Sequence, residues 1–244
     1  KFLAGAVVGI LIGKIFGLGG ILGISSLAIV SSVTNSNGGL YMSLAATYGS
    51  PEDVGANSIL SINDGPFLTM LAFGLSGMAN IPFISLVAAI LPVFVGMILG
   101  NIDSDIAEFL KPGGAILIPF FAFSLGSGIS VANLVSGGVR GIALGLFCVV
   151  WSGFVCILAD KFINKRPGYA GAAIATAAGN CVATPKIIAE VSPNFAPYVE
   201  SATVQCAAAV VVTVILVPIL TATVAKIWGN NEEFEKRKVA SKAS

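Results

Sequence analysis

The sequence has no histidine, only four cysteines and few charges: 10% of its 244 residues are Asp, Glu, Lys or Arg, against roughly a quarter in soluble domains. Without histidine, a histidine-based catalytic triad is excluded and the commonest metal ligand is missing. Cys148, Cys156, Cys181 and Cys206 lie in apolar segments without C-x-x-C spacing. They read as small buried hydrophobes, and neither a metal site nor a cofactor is expected. A net charge of +1, with no basic stripe between aromatics, excludes a nucleic-acid footprint. The alternation of a transmembrane barrel is absent too.

What the chain does have is apolar residues, 56% of the total. They gather in runs at about 2 to 17, 21 to 48, 54 to 78, 82 to 100, 113 to 129, 134 to 160, 169 to 190 and 197 to 228. Only helices satisfy their own backbone in lipid when barrels are excluded, so these runs predict an all-α polytopic membrane protein with about eight crossings. The first run, Phe2 to Phe16, reaches only about 22 Å as a helix, short of a bilayer core of about 30 Å. No small-residue cleavage site follows it, so it reads as a clipped helix of an N-terminally truncated chain. The loops "GNIDSDIAEFLKPGG" and "DKFINKRPG" and the tail "NNEEFEKRKVASKAS" carry most of the charge. An eight-crossing path puts Lys1, Lys111, Lys161, Lys165, Arg166, Lys226, Lys236, Arg237, Lys238 and Lys242 on one side and Lys14, Arg140 and Lys186 on the other. The positive-inside rule then makes the C-terminus cytoplasmic.

A weak internal repeat runs through these segments. Glycines recur every four residues at Gly5, Gly9, Gly13 and Gly17, and again at Gly137, Gly141 and Gly145, a spacing that lets helices approach closely. After the first set come "TNSNGG", the pair Ser50–Pro51 and, thirteen residues beyond that serine, Asn63; after the second come "GNCVATPK", Ser192–Pro193 and, again thirteen residues on, Gln205. A three-helix unit thus occurs twice. Two helices precede the second copy, so residues 1–78 read as the remainder of a first five-helix repeat, 79–228 as a second, inverted one, and 229–244 as a polar cytoplasmic tail.

Polar residues inside apolar runs mark the expected site. In "SSVTNSNGGLYMS" the helix is expected to stop near Val33 and restart near Gly39 or Leu40, with an asparagine or serine as cap. In "AAGNCVATPK", Thr184 is expected as the N-cap and Pro185 as the first helical residue. Two half-helix N-termini facing each other at mid-membrane would offer free amides and positive potential to an anion. The candidate substrate-binding residues are Thr34, Asn35, Asn37, Gly38, Gly39, Asn180, Thr184 and Pro185. The bland alternative is a kinked helix whose polar groups are satisfied internally.

Asp64, in "SINDGPF", is the only carboxylate deep in an apolar run, and such a group is a functional candidate by default. With Asn63 and Gln205 it forms the candidate coupling set for a proton or sodium ion, although Asp64 or Asn63 could instead cap the helix restarting at Pro66. Lys186 could hold a carboxylate or snorkel to the interface. Glu190 and Glu200 belong at that same rim. Trp151 and Trp228 read as packing or interfacial anchors.

The segments "TNSNGGLYMSLAATYGSPEDVGA", "INDGPFLTML", "LPVFVGMILGNIDSD", "LIPFFAFSLGSGI" and "AAGNCVATPKIIAE", in this order, resemble the 2-keto-3-deoxygluconate permease family. The resemblance covers nearly the whole chain. It implies a fold similar to the bile acid and sodium symporters, with a panel domain and a core domain whose two discontinuous helices cross. It also implies ten helices, of which this chain lacks the first two. The implied activity is proton-coupled uptake of a small anionic sugar acid, 2-keto-3-deoxygluconate, across the bacterial inner membrane. In relatives the carboxylate of "INDGP" can fall one residue earlier, at the position of Asn63. A cation/proton antiporter would place paired carboxylates at the crossing, and an aspartyl intramembrane enzyme would need two facing carboxylates; neither pattern is present.

Overall fold

The structure is a computed structural model that describes residues 1–63, 65–113, 116, 120, 123 and 131–243. Its helices, in chain order, are α1 (Phe2–Phe16), α2 (Ser26–Thr34), α3 (Gly38–Tyr48), α4 (Pro51–Gly55), α5 (Asn57–Asn63), α6 (Pro66–Leu75), α7 (Phe83–Ile102) and α8 (Ser104–Leu110). They continue with α9 (Val131–Phe162), α10 (Tyr169–Ala173), α11 (Thr184–Val191), α12 (Val199–Trp228) and α13 (Asn231–Ala243), with 3-10 turns at Gly179–Val182 and Pro193–Tyr198. Among the described residues no strand forms, only an isolated bridge between Ile21 and Ile24. The all-α expectation is met.

Among the described residues three helices are long and apolar enough to cross a membrane: Phe83–Ile102, Gly137–Phe162 and Pro193–Ala240. Pro51–Asn63 and Pro66–Leu75 make a fourth if the 55° bend between them belongs to one span. That bend falls where Pro66, at the start of α6, has no N–H to continue the preceding helix. The two runs 21–48 and 169–190 are each divided into pieces shorter than a bilayer, and the expected crossing at 113–129 lies largely outside the described residues. All eight expected crossings are therefore not set out by length alone.

The glycine stripes fix how the helices run. A Cβ added at Gly5 would lie 2.6 Å from the Thr34 nitrogen, one at Gly9 2.4 Å from Val30 Cγ2, and one at Gly13 3.0 Å from Ser26 Cβ. Numbers rise on α1 as they fall on α2, so the two helices are antiparallel and in backbone contact. Gly137 meets Val204, Gly141 meets Ala208 and Gly145 meets Val212, with the added Cβ at 2.7, 2.6 and 2.7 Å. Here the numbers rise together, so α9 and α12 are parallel, with α10 and α11 as the chain's return path between them. The first stripe packs on the next helix in sequence, the second on a helix beyond it.

Leu27, Val30, Phe73, Leu144 and Phe195 are fully enclosed at the centre of the core. The Phe73 and Phe195 rings meet at a centroid distance of 4.7 Å and an angle of 52°, within the range that favours tilted aromatic pairs. Trp151 ties α9 to α1 by donating from Nε1 to the Ala4 carbonyl at 3.0 Å. Trp228 carries the Lys161 ammonium 3.5 Å from its ring centre, a cation–π contact suited to a membrane rim. In contrast, α7 has no buried residue: Leu86 and Ala89 pack against the edge of the core, while Phe83, Ile84, Phe94 and Ile98 are exposed.

A polar clasp closes one end of this core. Ser50 and Asp53 form a capping box at the start of α4. The same carboxylate, buried, accepts both forks of Arg166: Nη1 donates to Oδ1 at 2.6 Å, and Nη2 donates to Oδ2. The Tyr169 hydroxyl donates to Asp53 Oδ2 at 3.2 Å and lies 3.4 Å from Asn231 Oδ1. The Asp53 partner pushes the Arg166 pKa above its ordinary value. Four parts of the chain meet in this clasp. Asp53→Asn is expected to lower unfolding stability by on the order of 3 kcal/mol, because it strands a guanidinium in a partly buried site. Arg166→Lys should cost less but not be neutral, since an ammonium does not match both carboxylate oxygens. Thermal unfolding in detergent measures both, and equal melting temperatures for all three proteins would refute this role.

Candidate transport site

Both interrupted helices break where their sequence offers polar substitutes for helical hydrogen bonds. At the first, α2 ends at Thr34 and α3 begins at Gly38. Asn37 caps α3 as expected, its Oδ1 accepting from the Leu40 N–H at 3.0 Å. At the second, α10 ends at Ala173 and the chain stays unwound over 174–178 before the 3-10 turn and α11. The two breaks touch: the Asn37 N–H donates to Thr176 Oγ1 at 2.7 Å. The Ala177 N–H in turn donates to Thr213 Oγ1 of α12 at 3.0 Å. Thr213 sits near the middle of Val199–Trp228, which places the crossing at mid-span.

The contact on the second break is therefore Thr176 and not the expected 179–185. Ala175, Ala177 and Ala178 are fully buried around it, and their small side chains let the two backbones approach. Thr184 is also not the N-cap of α11. Ala183 holds that position, and the Thr184 hydroxyl turns back to donate to the Asn180 carbonyl at 3.0 Å. Pro185 does lie in the first turn, as expected.

The first break is held open by α5 and α6. Asn63 Nδ2 donates to the Thr34 carbonyl at 2.6 Å and to Ser36 Oγ at 3.3 Å. The Gly65 N–H donates to Asn35 Oδ1 at 3.1 Å, Asn35 Nδ2 donates to the Ser31 carbonyl at 2.7 Å, and the Thr34 and Thr69 hydroxyls lie 3.2 Å apart. Thr34 and Asn35 are buried and engaged within the protein. Asn37 and Gly38 are half-buried, Gly39 and Asn180 are exposed, and Thr184 and Pro185 are buried. The N–H groups of Gly38 and Gly39 have no acceptor among the described residues. They form an open amide pair beside the crossing.

Of the coupling set, Asn63 is at the crossing and keeps its Oδ1 buried with no donor among the described residues. Asp64 lies outside the described residues. Gln205 is elsewhere: its Nε2 donates to the Gly23 carbonyl at 2.9 Å. It lies eight residues before Thr213, about 12 Å along the helix. Among the described residues no cluster of metal-ligating side chains forms.

One residue at the crossing escaped the sequence reading. The charge pattern along the chain puts Lys1 at the cytoplasmic rim, but the antiparallel register of α1 and α2 sets it one turn beyond Gly5, level with the break. Its ammonium donates to the Thr176 carbonyl and lies 3.9 Å from Cys148 Sγ. Lys186, the cation considered near the second break, is exposed on α11. A cavity of about 440 Å³ opens between α6, α7 and α11, lined in part by Pro66, Met70, Ser85 and Glu190.

An all-helical, multi-pass membrane protein with two interrupted helices meeting at mid-span has the architecture of a membrane transporter. The 2-keto-3-deoxygluconate permease family model matches residues 1–230, and the chain belongs to that family. It is 48% identical over 236 residues to 2-keto-3-deoxygluconate permease 1 of Salmonella typhimurium, covering 97% of this chain and 74% of that protein. It is 45% identical over 208 residues to the 2-keto-3-deoxygluconate permease of Enterobacter sp. (strain 638), covering 85% of this chain and 63% of the relative. For the protein of that name from Escherichia coli O9:H4 (strain HS) the figures are 42% over 217 residues, 89% and 65%. No solved structure matches the chain.

Thr176 is the residue on which the crossing can be tested. Thr176→Val keeps the shape but removes the acceptor of the Asn37 N–H, and is expected to destabilise the protein by about 1–3 kcal/mol, whereas Thr176→Ser should cost less than half of that. Unfolding in detergent compares the two, and a valine variant as stable as the serine variant would remove the hydroxyl from its place at the crossing.

Proposed function

We propose that this chain is part of a secondary active importer of 2-keto-3-deoxygluconate, or a closely similar sugar acid, working by proton symport in the bacterial inner membrane with its C-terminus cytoplasmic. The observation that carries this reading is the contact of the two breaks at mid-span, beside the amides of Gly38 and Gly39, which have no acceptor among the described residues. A small anion with several hydroxyls needs amide donors, hydroxyl partners and positive potential in one place, and half-helix termini offer these in hydrocarbon. The names of the relatives supply the substrate. Asn37, Gly38, Gly39 and Asn180 keep the exposure that contact with it requires.

The repeat matched by spacing supports an inverted architecture, with residues 1–78 belonging to one half and 79–228 to the other. Setting Lys1 aside as a mid-span residue leaves the charge bias on the C-terminal side intact, which supports a cytoplasmic C-terminus. For coupling, Asp64 is the titrating group and Asn63 its neighbour in sequence, whose buried Oδ1, without a donor among the described residues, would accept from a proton carrier or ligate an ion. Sodium coupling is the second reading, favoured by that same orphaned oxygen, since hard cations take oxygen ligands.

Uptake of labelled 2-keto-3-deoxygluconate into vesicles, with the pH gradient and sodium varied separately, tests substrate and ion together. Accumulation driven by the pH gradient alone is expected. Asp64→Asn should abolish uphill uptake while leaving substrate exchange across the membrane. Gradient-driven accumulation by that variant at the wild-type level would end the coupling assignment, and accumulation that follows sodium alone would favour the second reading.

A further inference from the structure

Lys1 supplies a charge that no part of the reading above uses. Its ammonium is at the crossing, donating to the carbonyl of Thr176, the same residue whose hydroxyl receives the Asn37 N–H. The depth of this position follows from three independent registers. Lys1 is one turn beyond the contact of Gly5 with Val33 and Thr34, Cys148 lies near the middle of the Gly137–Phe162 span, and the backbone next to Thr176 is held by Thr213 near the middle of α12. An ammonium at that depth is costly unless an anion or several dipoles compensate it. It carries three N–H donors. Among the described residues one carbonyl and a distant thiol are its partners, and it forms no ion pair. The other cations near the core stand away from the crossing: Arg140 beside Gly23, Lys161 over Trp228, and Lys186 exposed on α11.

Resting on the proposed transport of a sugar acid, we infer that Lys1 is the carboxylate-binding residue of the site and the determinant of its preference for anionic over neutral sugars. The Thr176 carbonyl holds the ammonium in place before substrate arrives, which lowers the ordering cost of binding. A carboxylate entering the crossing completes the hydrogen bonds of the ammonium and balances its charge, while the Gly38 and Gly39 amides face the hydroxyl-bearing part of the molecule. The sugar acid is held at one end by charge and at the other by neutral donors. A neutral sugar of the same size leaves the ammonium uncompensated.

The test compares Lys1→Gln, Lys1→Met and Lys1→Arg with the wild type in the full protein. Equilibrium binding is measured for labelled 2-keto-3-deoxygluconate, for its uncharged analogue 3-deoxyglucose, and for gluconate and pyruvate as simple carboxylates. Losing a charge-assisted hydrogen bond is expected to weaken sugar-acid binding about ten- to hundred-fold in Lys1→Gln and Lys1→Met. Binding of the uncharged analogue should stay within two- to three-fold, and Lys1→Arg should retain most of the affinity for the acid. Undiminished acid binding in either neutral variant overturns the proposal. So does an equal loss for acid and uncharged sugar, which would make Lys1 a structural support of the Thr176 carbonyl, or for instance a partner of Asp64. If the glutamine variant fails to fold, the methionine variant carries the same comparison. A wild type that binds gluconate or pyruvate but not 2-keto-3-deoxygluconate refutes the substrate assigned above while leaving Lys1 to be judged on those acids. A wild type that binds none of the three acids overturns both.

Discussion

A backbone amide in hydrocarbon must find an acceptor, and this molecule meets that constraint at its centre by letting one interrupted helix satisfy another. Asn37 cannot donate within either α2 or α3, and Thr176 lies in an unwound segment outside any helix. Joined at 2.7 Å, each makes the other's interruption tolerable. Around this contact the remaining polar groups are arranged as support. Asn63 and Gly65 hold the first break from the side of α5 and α6, and Thr213 holds the second from α12. Without those supports the unwound segments would carry several unsatisfied groups, each costing kcal/mol in a medium without water.

Small side chains make the arrangement sterically possible. Alanines flank Thr176, and glycines bring α1 against α2 until side-chain atoms would overlap backbone. Close approach gains the dispersion contacts on which helices in lipid depend, since burial from water contributes little there. The same economy of volume leaves room for buried thiols: Cys148, Cys181 and Cys206 surround Ser32, whose hydroxyl donates to Cys206 Sγ at 3.2 Å. They fill gaps with a weakly polar atom and are all free.

The helical class and the first break were legible in the sequence because both depend on local pattern. "TNSNGG" places four polar residues and two glycines in a run that is apolar on either side, and no continuous helix in lipid explains that composition. The second break was read too late in the chain. Its working residue, Thr176, is a single hydroxyl in "GAAIATAAGN", while the louder "GNCVATPK" follows it and draws attention to Pro185. Lys1 reads as a rim charge because it opens an apolar run; its depth depends on the register of α1 against α2, a tertiary contact with no signature in the local sequence. Gln205 matched Asn63 in spacing, yet its side chain reaches Gly23, since equal separations along a chain do not fix which face of a helix points to the crossing. The Asp53–Arg166 clasp joins residues 113 positions apart and had no local signature at all.

The seam between α9 and α12 bears on how such a protein can move. Gly137, Gly141 and Gly145 seat Val204, Ala208 and Val212 in successive notches, and a shift of one residue would drive a methyl group into the wall between notches. Two parallel rods keyed in this way resist sliding past one another and turn as one beam. The broken segment strung between them is then carried along with its carbonyls and amides in fixed attitude, so that whatever lies at the crossing is tilted with the beam and not released by it.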